Sequence, residues 1–133
     1  MTVWIQKRVV LVYHDEQLAE HGGVPGIRHE GLLESALARP RNLAAYSTKR
    51  PTLFELAAAY AYGLARNHPF IDGNKRTALL VALTFLEVNG IRFHAEQDDA
   101  YLTFEALAAG RISEKELATW LSRNSTKSPV RAP

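Results

Sequence analysis

Apolar residues recur at helical spacing through most of the chain, and glycine or proline stands where the runs stop. Between Lys7 and Glu20, the residues Val9, Val10, Val12, Tyr13 and Leu18 leave strand and helix both open at first. The polar continuation HDEQLAEH favours a helix, and Gly22, Gly23 and Pro25 end it. In RHEGLLESALARP, Leu32, Leu33, Ala36 and Leu37 share one helical face, and Pro40 is expected to limit the far end. RPRNLAAYSTKRPT, with two prolines and four basic residues, then reads as a loop or broken helix. It is either a flap over a binding groove or a solvated connection.

Thr52, with Glu55 three residues on, has the spacing of a capping box and starts a helix through LFELAAAYAYGLA. That run is apolar almost all round and rich in alanine, which places it at the centre of the fold. TALLVALTFLEV has the same character and closes at Asn89 and Gly90. IRFHA is expected to be briefly extended. Asp98 or Asp99 then caps a helix through Tyr101, Leu102, Phe104, Leu107 and Ala108, which ends at Gly110. Ser113 and Glu116 form a second capping-box pair before a helix that buries Leu117, Trp120 and Leu121. Phe54, Tyr60, Tyr62 and Phe85 lie on helical faces as core residues. The expected architecture is one all-α domain over residues 1–123, a helical bundle with two buried central helices. The polar, proline-bearing residues 124–133 are expected to be a disordered tail.

Composition narrows the chemistry more than the fold. With no cysteine among 133 residues, disulfides, thiolate metal sites and a cysteine nucleophile are all excluded. The apolar stretch VVLVY is short and flanked by charge, so it is no signal peptide, and Ala78–Leu86 is too short for a membrane span. A cytoplasmic protein without a membrane partner is expected. The net charge of +2 would help an approach to phosphate or an acidic partner, but it fits an ordinary solvated surface better than a nucleic-acid footprint, and no direct DNA binding is expected. His14 and His21 are seven apart on one helical face, yet no third ligand follows at suitable spacing. His29 and His94 are expected at the surface or the core edge.

Between the two most apolar helices stands HPFIDGNKRT, where polar residues crowd into a few positions. Pro69 disfavours helical geometry at His68, so the preceding helix ends there. Phe70 and Ile71 would pin the link into the core, and Gly73 would permit a conformation closed to other residues. Asn74 is placed to cap the next helix, with Lys75, Arg76 and Thr77 in its first turn. Two cations there oppose the helix dipole, at a cost of a few tenths of a kcal/mol up to about 1 kcal/mol each. A bound anion reverses that sign. Asp72 beside this nest suits Mg²⁺, which takes one or two carboxylates and keeps its waters. His68 can take a proton from a hydroxyl attacking phosphorus. The pattern points to nucleotide-dependent transfer onto a hydroxyl. Walker A, G-x-G-x-x-G and H-R-D stretches are all missing.

HPFIDGNKRTAL resembles the Fic/Doc family, whose motif runs H-P-F-x-[D/E]-G-N-G-R-x-x-R in Fic enzymes and H-x-F-x-x-x-N-K-R in the Doc branch. EHGGVPGIRHEGLLESALARP is similar to the N-terminal half of death-on-curing proteins, and the likeness runs from about Val9 to Arg123. The resemblance implies an all-α Fic-type fold and a toxin of a type II toxin–antitoxin pair. It implies His68 as general base, Asp72 as metal ligand, and Gly73, Asn74, Lys75 and Arg76 around the phosphates of ATP, with Pro69 and Phe70 anchoring the loop. Lys75 stands where Fic enzymes have glycine, and Leu79 where they have a second arginine. These are the Doc branch's residues, a branch associated with phosphorylating a Ser or Thr hydroxyl of a translation factor such as elongation factor Tu. A lysine there takes space and charge needed by the outer phosphates in the Fic pose, so the nucleotide would bind reversed. The family also uses an inhibitory [S/T]-x-x-x-E-[G/N] segment, and no Ser or Thr here has Glu four residues on. Inhibition is therefore expected in trans, from an antitoxin encoded by a neighbouring gene and seated on an exposed apolar patch near the site. The alternatives are a Fic-type AMP transferase and a non-enzymatic basic module that binds RNA or the ribosome.

Overall fold

A computed structural model describes residues 1–128, and along them lie α1 (Lys7–His21), α2 (Glu30–Tyr46), α3 (Leu53–Asn67), α4 (Asn74–Val88), β1 (Ile91–Phe93), α5 (Gln97–Ala108), α6 (Glu114–Arg123) and β2 (Ser125–Lys127). The fold is all-α apart from one small sheet, and α3 and α4 are its buried centre. Every residue of α3 from Leu56 to Ala61 is buried, as are Gly63, Leu64 and Ala65. The small side chains let α2, α4, α5 and α6 all pack against α3. The approach is close at Gly63, where an added Cβ would stand 2.9 Å from the Ala36 Cα on α2. The Tyr60 hydroxyl, inside the core, accepts a 3.0 Å hydrogen bond from the Ile5 N–H, tying the N-terminal segment to α3.

Both capping boxes form, Thr52 with Glu55 on α3 and Ser113 with Glu116 on α6. His29, expected merely at the surface or core edge, has a local role as N-cap of α2, its Nδ1 accepting from the Leu32 N–H at 3.1 Å.

Three expectations are corrected. Pro40 does not end α2, which continues to Tyr46. A mid-helix proline costs about 3 kcal/mol locally, but Leu33, Ala36, Leu37 and Pro40 form one buried face against α3. That burial overrides the local preference, and the suspected flap shrinks to residues 47–52. Neither Asp98 nor Asp99 caps α5; both lie in its first turn, where their charge suits the dipole, and Glu96 is the N-cap without a side-chain bond. The presumed disordered tail begins too early. Ser125–Lys127 pair antiparallel with β1, with Ile91 opposite Lys127 and Phe93 opposite Ser125. Flanking bonds from the His94 N–H to the Asn124 carbonyl and from the Ser128 N–H to the Gly90 carbonyl, both 2.9 Å, close the ladder. The backbone groups of β1 thereby find partners that three polar residues can offer as well as apolar ones. The rest of the expected tail, 129–133, lies outside the described residues.

Candidate active site

The link between α3 and α4 carries the polar cluster, and three separate parts of the chain hold it. His68 follows α3 as its C-cap with φ 51° and ψ 55°, a left-handed conformation found at no other non-glycine residue among those described. Such a conformation costs on the order of 1–2 kcal/mol and persists only where the surroundings enforce it. Above the link runs the α1–α2 loop. The Pro69 carbonyl accepts from the Arg28 N–H (2.7 Å) and the His29 N–H (3.1 Å), while the Gly26 carbonyl accepts from the Ile71 N–H (3.1 Å). Ile27 and Phe70 form an antiparallel bridge in the middle.

Beneath the link lies His14. Its Nε2 donates to the Asp72 carbonyl at 2.8 Å, and its ring stacks on Phe70 with centroids 3.7 Å apart. His14 is buried together with Val10, four residues earlier, so it belongs to the inward face of α1. That i, i+4 relation to Val10 was the available signal. The seven-residue spacing to His21 points away from it.

Asn74 holds the link from within. It is the first residue of α4 and not its cap, which corrects the sequence expectation; the N-cap is Gly73, left-handed at φ 79°. The Asn74 Oδ1 accepts from the Phe70 N–H at 3.0 Å, and Nδ2 donates to the Phe70 carbonyl at 2.9 Å while lying 3.3 Å from His68 Nδ1. With both amide atoms used on Phe70 and the residue buried, Asn74 shapes the loop. Phe70 is buried as expected, but Ile71 is not; it is 48% exposed.

Because glycine is the cap, no side chain closes the N-terminus of α4. Its first turn carries no acidic residue, and Lys75 and Arg76 both stand exposed there. The Arg76 guanidinium leans toward the Tyr101 ring, 5.7 Å from its centroid, and Lys75 has no ion pair among the described residues. His68 and Asp72 are exposed beside this positive pole. Asp72 Oδ2 accepts from the Val24 N–H at 2.8 Å, which fixes the carboxylate at the loop's edge. The link thus brings together a reachable imidazole, a carboxylate and an uncapped cationic helix terminus, an arrangement suited to phosphate and to proton removal from a nearby hydroxyl. Leu79, by contrast, is buried in the core, so the position that is arginine in the Fic motif is committed to packing.

Residues 4–86 match the model of the Fic/DOC family. The chain belongs to the Fic/DOC family. It is 38% identical over 119 residues to the protein kinase doc of Escherichia phage P1, covering 90% of this chain and 93% of that protein. It is also 46% identical over 77 residues to the toxin Doc of Mycolicibacterium smegmatis, covering 58% of this chain and 59% of that one. Both relatives are Doc proteins, and this Fic/DOC chain stands in the Doc branch with them. The family match covers the whole link from His68 to Arg76, all of α3, and α4 as far as residue 86.

Proposed function

We propose that this Doc-branch protein is the toxin of a toxin–antitoxin pair and a kinase that moves the γ-phosphate of ATP to a protein hydroxyl. The observation that carries the reading is the placement of an exposed His68, fixed in a strained conformation, beside an α4 N-terminus that lacks both a side-chain cap and any first-turn acid. The substrate oxygen attacks the γ-phosphorus, its proton passes to the His68 imidazole, and the bond to the β–γ bridging oxygen breaks to release ADP. The first-turn amides of α4 with Lys75 and Arg76 hold the phosphates and meet the charge that develops.

Among the described residues no three His, Asp or Glu side chains form a metal cluster of their own. Mg²⁺ needs only one or two carboxylates when a nucleotide supplies the rest, and Asp72 fits that part as an exposed carboxylate whose Oδ2 is held by the Val24 N–H. When bound, the ion would offset phosphate charge and help fix the nucleotide's orientation. Asp72→Asn is expected to weaken ATP binding more with Mg²⁺ than without it.

A Ser or Thr hydroxyl of a translation factor, elongation factor Tu being the family's example, is the proposed acceptor, which places the reaction in the cytoplasm. No helix among the described residues is long and apolar enough to cross a membrane. Val24, Ile27 and Ile71 stand exposed along the paired loops beside the site and offer an antitoxin, acting in trans, an apolar seat. Incubation with candidate translation factors and ATP labelled at the α or the γ position tests the reading. Label on protein from the γ position, abolished in His68→Ala, is expected; label from the α position alone would mean AMP transfer, and the kinase reading would be withdrawn.

A further inference from the structure

The last turn of α3 has an unusual deficit. The left-handed turn at His68 gives the helix no backbone capping bond from its C-cap residue, although its terminal carbonyls need partners. One residue of the α1–α2 loop supplies a partner for the last of them, at Asn67, and for the two carbonyls that follow. The Arg28 Nη2 donates to the Asn67 carbonyl at 2.8 Å, its Nε donates to the His68 carbonyl at 2.7 Å, and its backbone N–H donates to the Pro69 carbonyl at 2.7 Å. Arg28 thus grips three successive carbonyls, those of the residue before His68, of His68 itself and of the residue after it.

We propose that Arg28 is a positioning residue for His68, holding the peptide from Asn67 to Pro69 in the conformation that presents the imidazole to the substrate hydroxyl. This rests on reading His68 as the general base. The guanidinium is suited to the task for two reasons. Its planar fork places two donors on adjacent carbonyls at once, which a lysine ammonium on a flexible stem does not reproduce. Its charge also lies at the negative pole of α3, where a cation is favourable. Neither guanidinium bond reaches toward Lys75, Arg76 or Asp72; both are spent on the backbone that carries His68. Removing the grip leaves a non-glycine residue in a left-handed conformation with fewer contacts to enforce it, so the segment relaxes and the ring moves.

Misplacement of a catalytic group by about an ångström costs on the order of a hundredfold in rate. Arg28→Gln is therefore expected to lower the rate at saturating ATP by about tenfold or more, while the KM for ATP stays within about twofold. Arg28→Lys, which keeps the charge but loses the fork, is expected to recover only part of the rate. The deciding measurement does not need activity. The imidazole C–H resonances of His68 in the full chain are expected to shift and broaden in Arg28→Gln and in Arg28→Lys, while those of His14, on the other side of the link, keep their positions. Unchanged His68 resonances would overturn the proposal, and so would a rise in KM for ATP without loss of maximal rate, which would make Arg28 a ligand-binding cation. Uniform perturbation of every histidine would reduce it to a structural residue. His68→Ala separates the two claims: if transfer survives there, the base assignment falls whatever the resonances show.

Discussion

His14 Nε2 donates to the backbone carbonyl of Asp72 at 2.8 Å, so a side chain of the first helix sets the height of a loop residue whose carboxylate lies at the candidate site. The same ring stacks flat against Phe70. Two neighbouring loop residues are thus gripped by one side chain, Phe70 through its ring and Asp72 through its carbonyl.

His14→Phe preserves an aromatic stack but removes the donor, leaving the Asp72 carbonyl without this partner in a part-buried position. A loss of about 1–3 kcal/mol in unfolding free energy is expected. The transfer rate is expected to fall further than the folded fraction does, because the loop is displaced even in molecules that remain folded. Urea unfolding and single-turnover transfer on the same preparation check both parts; an unaltered rate per folded molecule would restrict His14 to packing.

The elements that sequence exposes well are those with a local cause. Thr52 with Glu55 and Ser113 with Glu116 mark helix starts because the capping residues are three positions apart. Gly90 marks a stop because its positive φ is a property of one residue. The failures have distant causes. Pro40 is a helix breaker locally and a core residue in the fold, and the packing of α2 on α3 prevails. Ser125–Lys127 carry no alternating pattern, so only the need of β1 for a partner reveals them as a strand. In the candidate site, His68, Asp72, Lys75 and Arg76 were legible as a cluster through their spacing. His14 and Arg28 were not, since their partners are backbone carbonyls far along the chain, and a carbonyl has no letter of its own.

Gly63→Ala sets helix propensity against packing. Alanine is better than glycine within a helix by about 1 kcal/mol. Its Cβ, however, would stand 2.9 Å from the Ala36 Cα and 3.2 Å from the Ala36 carbonyl oxygen, and backbone cannot rotate away as a side chain can. Overpacking of this kind costs about 1–3 kcal/mol and also forces α2 from α3. A net fall in melting temperature is expected, seen by calorimetry; a rise would mean that the two helices separate freely.

Burial raises the pKa of the Tyr60 hydroxyl above its ordinary 10.0, against smaller lowering effects from its bond to the Ile5 backbone and from Arg41. The folded state therefore holds its proton more tightly than the unfolded state does. The stability this contributes is complete below pH ~10 and is lost as pH rises through the folded pKa. Tyr60→Phe loses the bond to the Ile5 N–H, about 1 kcal/mol at neutral pH, but removes this alkaline sensitivity. Wild type and variant are expected to converge in stability above pH 10. Parallel curves in chemical denaturation across that range would contradict the assignment.

Lys75 separates stability from function most directly. It is exposed in the first turn of α4, has no ion pair among the described residues, and shares that turn with Arg76 and no acid. Without nucleotide its charge meets the positive end of the helix dipole, so Lys75→Ala is expected to stabilise the protein by about 0.3–1 kcal/mol at low salt. With ATP the same charge attracts phosphate, and its loss is expected to weaken binding by about fivefold, equivalent to roughly 1 kcal/mol. The two effects run in opposite directions, which ordinary damage to the fold cannot produce. Lys75→Arg, as the charge-matched control, should shift neither quantity by much. Thermal unfolding of the free protein and calorimetric titration with ATP give both numbers. A Lys75→Ala protein that is no more stable than wild type and binds ATP equally well would remove the phosphate role from this helix terminus, and with it the main support for phosphate transfer at His68.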